Sequence, residues 1–120
     1  MKYVIPMTAM LAVRTQAEAG AACSQLSALL QQPMIRVMMQ SRGVPYEGMH
    51  AEAPYPAQGV FAVPLWFFLE CPSLEAASQA RQIVERLLQE PALRSTARMN
   101  GVPLEGASVG EPSVYQPPRR

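Results

Sequence analysis

The sequence predicts an α+β fold, a two-layer sandwich of helices on a four-stranded antiparallel sheet, and two observations support this prediction. The first is an internal duplication, because the hexapeptide Gly43–Gly48 (GVPYEG) returns 58 residues later as Gly101–Gly106 (GVPLEG). With this offset, residues 3–54 and 61–112 align without a gap and share 15 identities in 52 pairs. By chance, two sequences of average composition would share about one identity in fifteen aligned pairs. The second observation is that both copies show the same order of periodicities, first of two residues and then of three to four.

Each copy begins with a predicted strand. Apolar residues occupy every second position of residues 3–13 and again of residues 61–71, which is the pattern of a strand with one buried face. Pro6 and Pro64 fall at the same repeat position and lack the N–H group that a sheet ladder uses. We therefore expect each proline at a strand start or at a bulge.

A helix follows each predicted strand. Thr15 and Ser73 occupy equivalent positions and are good N-cap residues, and apolar residues follow both at the three-and-four spacing of one helix face. Pro33 and Pro91 end these helices and open a short second helix in each copy. The first glycine of the repeated hexapeptide closes the short helix in a left-handed conformation, and the Val-Pro after it directs the chain into a strand.

The last strand of each copy is weakly patterned. We assign it to residues 44–53 and 102–109, whose glycine, proline and polar residues are typical of exposed edge strands. Residues 54–59 are expected to form a turn-rich connector between the copies. Residues 113–120, which end in Pro-Pro-Arg-Arg, are expected to form a flexible C-terminal tail.

Two such copies in tandem give a βαββαβ chain, the ferredoxin-like arrangement, with the first and third strands in the centre of the sheet. The length of 120 residues favours one domain over residues 1–116, made of the repeats 1–58 and 59–116. Because the helices cover one face of the sheet, the opposite face is expected to stay open.

Composition and charge argue against several classes of function. A formal net charge of +1 gives no general attraction to nucleic acid or to an anionic membrane, and all nine acidic residues are Glu, so we expect no metal. Cys23 and Cys71 are expected to be reduced thiols, since a lone pair is no disulfide framework. The N-terminus resembles a secretory signal, but residues 3–13 align with the internal residues 61–71. We therefore expect a cytoplasmic protein with no cofactor and no membrane span.

Five residues of the expected open face form a candidate partner-binding or dimer face. Trp66 and Phe68 stand where the first copy has Thr8 and Met10, and Val4 lies on the same face. The central strands are neighbours, so Trp66, Phe68 and Met10 are expected to form one cluster. Monomers rarely expose a large apolar patch, which favours a cover formed by a second copy, and after that by a different protein. Stacked nucleic-acid bases are disfavoured because they require aromatic residues on both central strands with basic residues around them.

Other polar residues are weaker candidates. His50 is expected to be solvent-facing on an edge strand, and Glu47 and Glu105 are expected on opposite edges of the sheet, too far apart to work as a pair. A candidate basic rim consists of the arginines at the two short helices, which the helix dipole also explains. These residues are Arg36, Arg42, Arg94 and Arg98.

The sequence contains no glycine-rich phosphate loop, no Ser-His-acid set at a supported spacing and no CxxC pair. It therefore favours a small non-enzymatic binding or regulatory protein that self-associates and acts by protein–protein interaction. An inhibitor or accessory protein of a mobile genetic element is the analogy. Two alternatives stay open. One is a dimeric α+β-barrel enzyme with a small-molecule pocket and His50 or a Glu as its base, and the other is an RNA-binding module that uses the sheet face.

Overall fold

The structure is a computed structural model that describes residues 1–116. In these residues the chain forms an antiparallel sheet of six strands and four helices, which confirms the predicted α+β class. The elements follow one another as β1 (Lys2–Leu11), α1 (Gln16–Leu30), α2 (Pro33–Ser41), β2 (Tyr46–Ala51), β3 (Tyr55–Ala57), β4 (Val60–Glu70), α3 (Leu74–Leu88), α4 (Pro91–Met99), β5 (Leu104–Val109) and β6 (Ser113–Val114).

The long strands lie in the order β2-β4-β1-β5. The central strands β1 and β4 pair along their whole length, from Lys2 opposite Glu70 to Leu11 opposite Phe61. Beside β4, the edge is formed by β2 and then by β3, and beside β1 it is formed by β5 and then by β6. The sheet thus has six strands rather than the predicted four, because each edge is divided into two pieces.

The strand β3 corrects the prediction of a connector over residues 54–59. Tyr55–Ala57 pairs with the start of β4, and Gln58 and Gly59 join the two strands with φ angles of +48° and +83°. Two consecutive residues with positive φ are the mark of a two-residue hairpin turn. The predicted turn therefore lies at the right place, but a strand of three residues is too short to show a periodicity.

The strand β6 is the counterpart of β3 in the second repeat, since Ser113 follows Tyr55 by 58 residues. Ser113 and Val114 pair with Val4 and Tyr3 of β1, and the Tyr115 amide donates to the Lys2 carbonyl at 2.9 Å. The first residues of the predicted tail, 113–120, thus belong to the sheet. Residues 117–120 lie outside the described residues.

The two prolines lie inside the central strands and not at a strand start, but each lies beside a one-residue shift of register between the two pieces of the neighbouring edge, as expected for a bulge. The Gly110 amide donates to the Pro6 carbonyl at 2.7 Å, and the Glu52 amide donates to the Pro64 carbonyl at 2.9 Å. In an antiparallel ladder the N–H and C=O of one residue point to the same neighbour. Each proline nitrogen therefore faces the break between the two pieces of an edge, where a missing donor costs the least.

The predicted caps are confirmed. The Thr15 hydroxyl accepts from the Glu18 amide at 3.1 Å, and the Ser73 hydroxyl accepts from the Ala76 amide at 3.2 Å. The short helices α2 and α4 are followed by Gly43 and Gly101 with φ of +91° and +81°. Only these left-handed conformations let the chain leave a helix and turn at once into an edge strand.

The core lies between the helices and the inner face of the sheet. The alternate residues of β1 and β4 that point to the helices are all buried: Tyr3, Ile5, Met7, Ala9, Leu11, Phe61, Val63, Leu65, Phe67 and Leu69. Tyr46 joins this core from β2. Its ring lies 5.1 Å from the Phe67 ring, and its hydroxyl donates to the Leu30 carbonyl at the end of α1, at 2.9 Å.

Gly110 is expected to tolerate no side chain. A Cβ atom at this position would lie 2.9 Å from the Pro6 Cγ and 3.2 Å from the Pro6 carbonyl oxygen. Gly110→Ala should lower the free energy of unfolding by about 1–3 kcal/mol, because the strands must move apart. Gly106→Ala is the matched control, since nothing lies within 4 Å of its Cβ position. Urea unfolding at neutral pH measures both, and equal effects of the two changes would contradict the close contact.

Tyr46→Phe is expected to lower the free energy of unfolding by about 1 kcal/mol at neutral pH, because the Leu30 carbonyl loses its donor. Burial raises the pKa of Tyr46 from 10.0 to about 12, with a smaller opposite effect of Arg36. The advantage of wild type is therefore complete below pH 10 and is lost as the pH rises toward 12. Urea unfolding between pH 7 and 11 checks this. Tyr55→Phe, at a side chain 47% exposed, is the control. A difference between wild type and Tyr46→Phe that is independent of pH would contradict it.

Candidate functional site

The sheet face turned away from the helices carries the five predicted partner-binding residues. Val4, Thr8 and Met10 come from β1, and Trp66 and Phe68 come from β4. Trp66 has 40% of its surface exposed, whereas the other four are half-buried. We call this side of the sheet the open face.

The five residues do not form one cluster. Val4 lies opposite Phe68, but Met10 lies opposite Ala62, six residues further along β1. At the rise of a β-strand this distance is about 20 Å. The reason is the antiparallel register, in which Met7 lies opposite its own repeat counterpart Leu65. Two equivalent residues are therefore farther apart in the sheet the farther they lie along their strands from the Met7–Leu65 pair.

Phe68 is partly covered by residues that the sequence patterns do not predict. The ring of Tyr115 meets it edge-on, with centroids 5.1 Å apart and planes at 81°. The Lys2 ammonium lies 5.2 Å from the centroids of both rings, in the geometry of a cation–π contact. Only the repeat could have indicated this contact. If the repeat is extended past Pro112, residues 113–114, which precede Tyr115, align with Tyr55–Pro56.

Trp66 lies in the middle of the face between both neighbouring strands. Pro6 is its partner on β1, and His50 is its partner on β2, with the imidazole 6.0 Å from the indole at 64°. The Nε2 of His50 lies 3.3 Å from the Glu52 Oε1, and both side chains are about half exposed. His50 is therefore exposed on an edge strand, as the sequence predicts, but it also flanks the most exposed aromatic residue of the face.

The open face is apolar along its middle and at the Met10 end, and it carries charges of both signs at the other end. Tyr55, 47% exposed, lies opposite Ala62 and extends the apolar surface at the Met10 end. At the other end, Lys2 is opposite Glu70, whose carboxylate pairs with the N-terminal amine. Among residues 1–116, no group of three or more His, Cys, Asp or Glu side chains is placed to hold a metal ion.

The candidate basic rim lies in the helix layer, on the other side of the sheet. Arg36 of α2 contacts Glu47, with a nitrogen 3.6 Å from the carboxylate, and Arg42 lies 3.4 Å from the Glu90 carboxylate. Arg94 and Arg98 are on α4, and the second is in its last turn. These arginines therefore do not border the open face. Glu47 and Glu105 lie on β2 and β5, the outer strands at opposite edges.

Both thiols are free, with Cys71 buried and Cys23 half-buried. Burial raises the pKa of each thiol, and at Cys71 the Glu70 carboxylate adds to the effect while the N-terminal amine opposes it. A raised pKa leaves less of the nucleophilic thiolate, so neither residue is activated. Within the described part of the chain, no helix has both the length and the apolar character that crossing a bilayer requires.

Comparison of the chain with protein-family models, with curated proteins and with solved structures finds no match. The function proposed below therefore rests on the geometry of the open face.

Tyr115→Ala is expected to lower the free energy of unfolding by roughly 1–2 kcal/mol, because it removes an aromatic pair and uncovers Phe68. Urea unfolding measures the change, and Gln116→Ala, at the exposed neighbouring position, is the control. If residues 113–116 were part of a flexible tail, the two variants would be equally stable, and that result would contradict the pairing of β6.

Proposed function

We propose that this protein is a small non-enzymatic binding protein that pairs with a second copy through the open face and acts by contacting another protein. The observation that carries the proposal is Trp66, whose large side chain is 40% exposed between Pro6 and His50 in the middle of an apolar face. Contiguous exposed apolar surface is typical of interaction sites, and tryptophan is enriched among the residues that dominate binding energy.

The dimensions of the face support a second copy as its cover. A strand of 11 residues such as β4 is about 36 Å long, and four strand positions are about 19 Å wide. The resulting area of about 700 Å² is close to the roughly 800 Å² per partner of a standard interface. A two-layered packing of sheets about 10 Å apart would bury Trp66 completely.

The charges of the face also suit a two-fold pair. Lys2 lies opposite Glu70 at one end, so this charged region contains both signs. In a two-fold interface the same patch meets itself, and a patch of one sign would repel its copy. RNA binding is less well supported, because Arg36, Arg42, Arg94 and Arg98 belong to the helix layer.

One observation favours a second candidate function. His50 and Glu52 are 3.3 Å apart beside Trp66, so a small-molecule pocket between two open faces would contain an imidazole with a carboxylate partner. This is the dimeric α+β-barrel enzyme, which shares the dimer with the first proposal. It differs in requiring His50, so the effect of His50→Ala on any detected turnover distinguishes the two.

We also propose the ferredoxin-like arrangement for the two repeats. The order β2-β4-β1-β5 of the long strands supports it, with helices following each central strand. Under this proposal β3 and β6 are additions to the edges and leave the βαββαβ path unchanged.

Trp66→Glu is expected to convert a dimer into a monomer, because it places a charge in the centre of the interface. Sedimentation equilibrium should give twice the chain mass of 13.1 kDa for wild type and the mass of one chain for the variant. The milder Trp66→Ala removes a side chain from each of the two copies, so a loss of about 2 kcal/mol per hot-spot residue should weaken dimerisation roughly 1,000-fold.

Leu74→Glu is the matched control for the dimer. Leu74 is 52% exposed and opens α3 in the helix layer, so its replacement should leave the dimer intact. A monomeric wild type, or a Trp66→Glu variant that stays dimeric, would overturn the self-association. Affinity capture from the native cell with wild type and Trp66→Ala then tests the proposed protein partner, which should be lost from the variant.

A further inference from the structure

A pocket of about 230 Å³ lies in the helix layer, above Phe67 and on the opposite side of the sheet from the open face. All four helices contribute to its walls, which are apolar except near the mouth. The residues around it are Leu30, Ile35, Met38, Met39, Arg42, Phe67, Val84, Leu87, Leu88, Glu90, Ala92, Leu93 and Thr96.

The pocket lies where the two repeats meet. Leu30 and Leu88 are equivalent residues of the repeats, and so are Ile35 and Leu93. Each repeat thus contributes the same part of its helices to the wall, and these two parts face each other across the pocket. The volume is a consequence of the duplication rather than a local packing defect of one helix.

A second pocket of about 50 Å³ lies beside the first and is lined in part by residues of the sheet. Both are lined by Leu30, Leu88, Leu93 and Phe67, and the smaller one also reaches Ala9. Ala9 is the repeat counterpart of Phe67, so the second repeat fills its half of the core with a ring where the first has only a methyl group. A small side chain at Ala9 therefore leaves space under the larger pocket.

The mouth of the pocket is electrically balanced. A nitrogen of Arg42 lies 3.4 Å from a carboxylate oxygen of Glu90, and both side chains are about half exposed. Their charges largely cancel at the entrance, so the mouth attracts neither anions nor cations. Below the mouth, a charged group would lose its hydration without gaining a partner.

We propose that this pocket is a binding site for a small uncharged apolar molecule of about the size of a substituted benzene. A buried apolar cavity of about 150 Å³ stays dry and binds benzene, so a pocket of this volume and lining can take a somewhat larger ring. The Arg42–Glu90 pair at the entrance adds no charge requirement. The site is independent of the dimer, because it opens in the other layer.

Titration with toluene tests the site directly. Methyl NMR signals of Ile35, Leu88 and Leu93 should shift in a saturable way, and the melting temperature should rise with ligand concentration, because the ligand binds only the folded state. Benzoate, with the same ring and a carboxylate, should produce neither effect. Absence of saturable shifts with toluene up to its solubility would overturn the site, and equal binding of benzoate would overturn its preference for uncharged ligands.

Variants locate the binding within the molecule. Leu93→Phe fills the pocket and should weaken toluene binding about tenfold or more, because the ring and the ligand compete for one volume. Met34→Phe, at a residue of α2 that is 78% exposed and not part of the pocket, is the matched control and should bind like wild type. If Leu93→Phe is poorly folded, Ala92→Leu, at an exposed residue of α4 that lines the same pocket, occupies part of it instead and should also weaken binding. Unchanged binding in a folded pocket-filling variant would place the ligand elsewhere and overturn the proposal.

Discussion

The structure depends on the antiparallel pairing of β1 with β4, in which Met7 lies opposite Leu65. These two residues are equivalent in the repeats, so an approximate two-fold axis passes between them. Side chains of a strand alternate between its faces, and this one register therefore decides which residues reach the helices and which reach the open face. A slip by one residue would place Trp66 and Phe68 in the core and Phe67 in water.

The duplication also explains why the two sides of the sheet differ. Near the approximate two-fold axis, equivalent residues of the two repeats lie close together, and divergence of the repeats has given some of these pairs unequal side-chain volumes. Ala9 and Phe67 are the result on the inner face, where the small residue leaves a pocket among the helices. Thr8 and Trp66 are the result on the open face, where the large residue protrudes. Both candidate sites thus arise where the repeats have diverged in side-chain volume.

The sequence predicts those parts of the fold that depend on local or periodic signals. The helices, their Thr15 and Ser73 caps and the long strands belong to this group, because periodicity and capping are properties of neighbouring residues. The strands β3 and β6 do not. With three and two residues they have no period, and they form because a central strand offers unpaired backbone groups beside them.

For the candidate site, the same distinction applies. The alternation along β1 and β4 is enough to place Val4, Thr8, Met10, Trp66 and Phe68 on one face. It does not give the distances between them, because these depend on the register of two strands that are far apart in the chain. The cover of Phe68 by Tyr115 depends in addition on β6, so no pattern within either central strand could indicate it.

The breaks in the two edges show how one structural joint is stabilised by different chemistry in each repeat. In the second repeat, the Arg81 guanidinium donates to the Gly110 carbonyl at 2.9 Å and to the Val109 carbonyl at 3.0 Å, which ties the end of β5 to α3. The equivalent residue in the first repeat is Cys23, whose Sγ lies 3.9 Å from the Glu52 carbonyl. A thiol is a weak donor, whereas a guanidinium donates several charge-assisted bonds. At this repeat position the edge of β2 and β3 is therefore bonded to its helix by a weaker donor than the edge of β5 and β6. The edge with the weaker donor is the one that carries His50 and Glu52 beside Trp66.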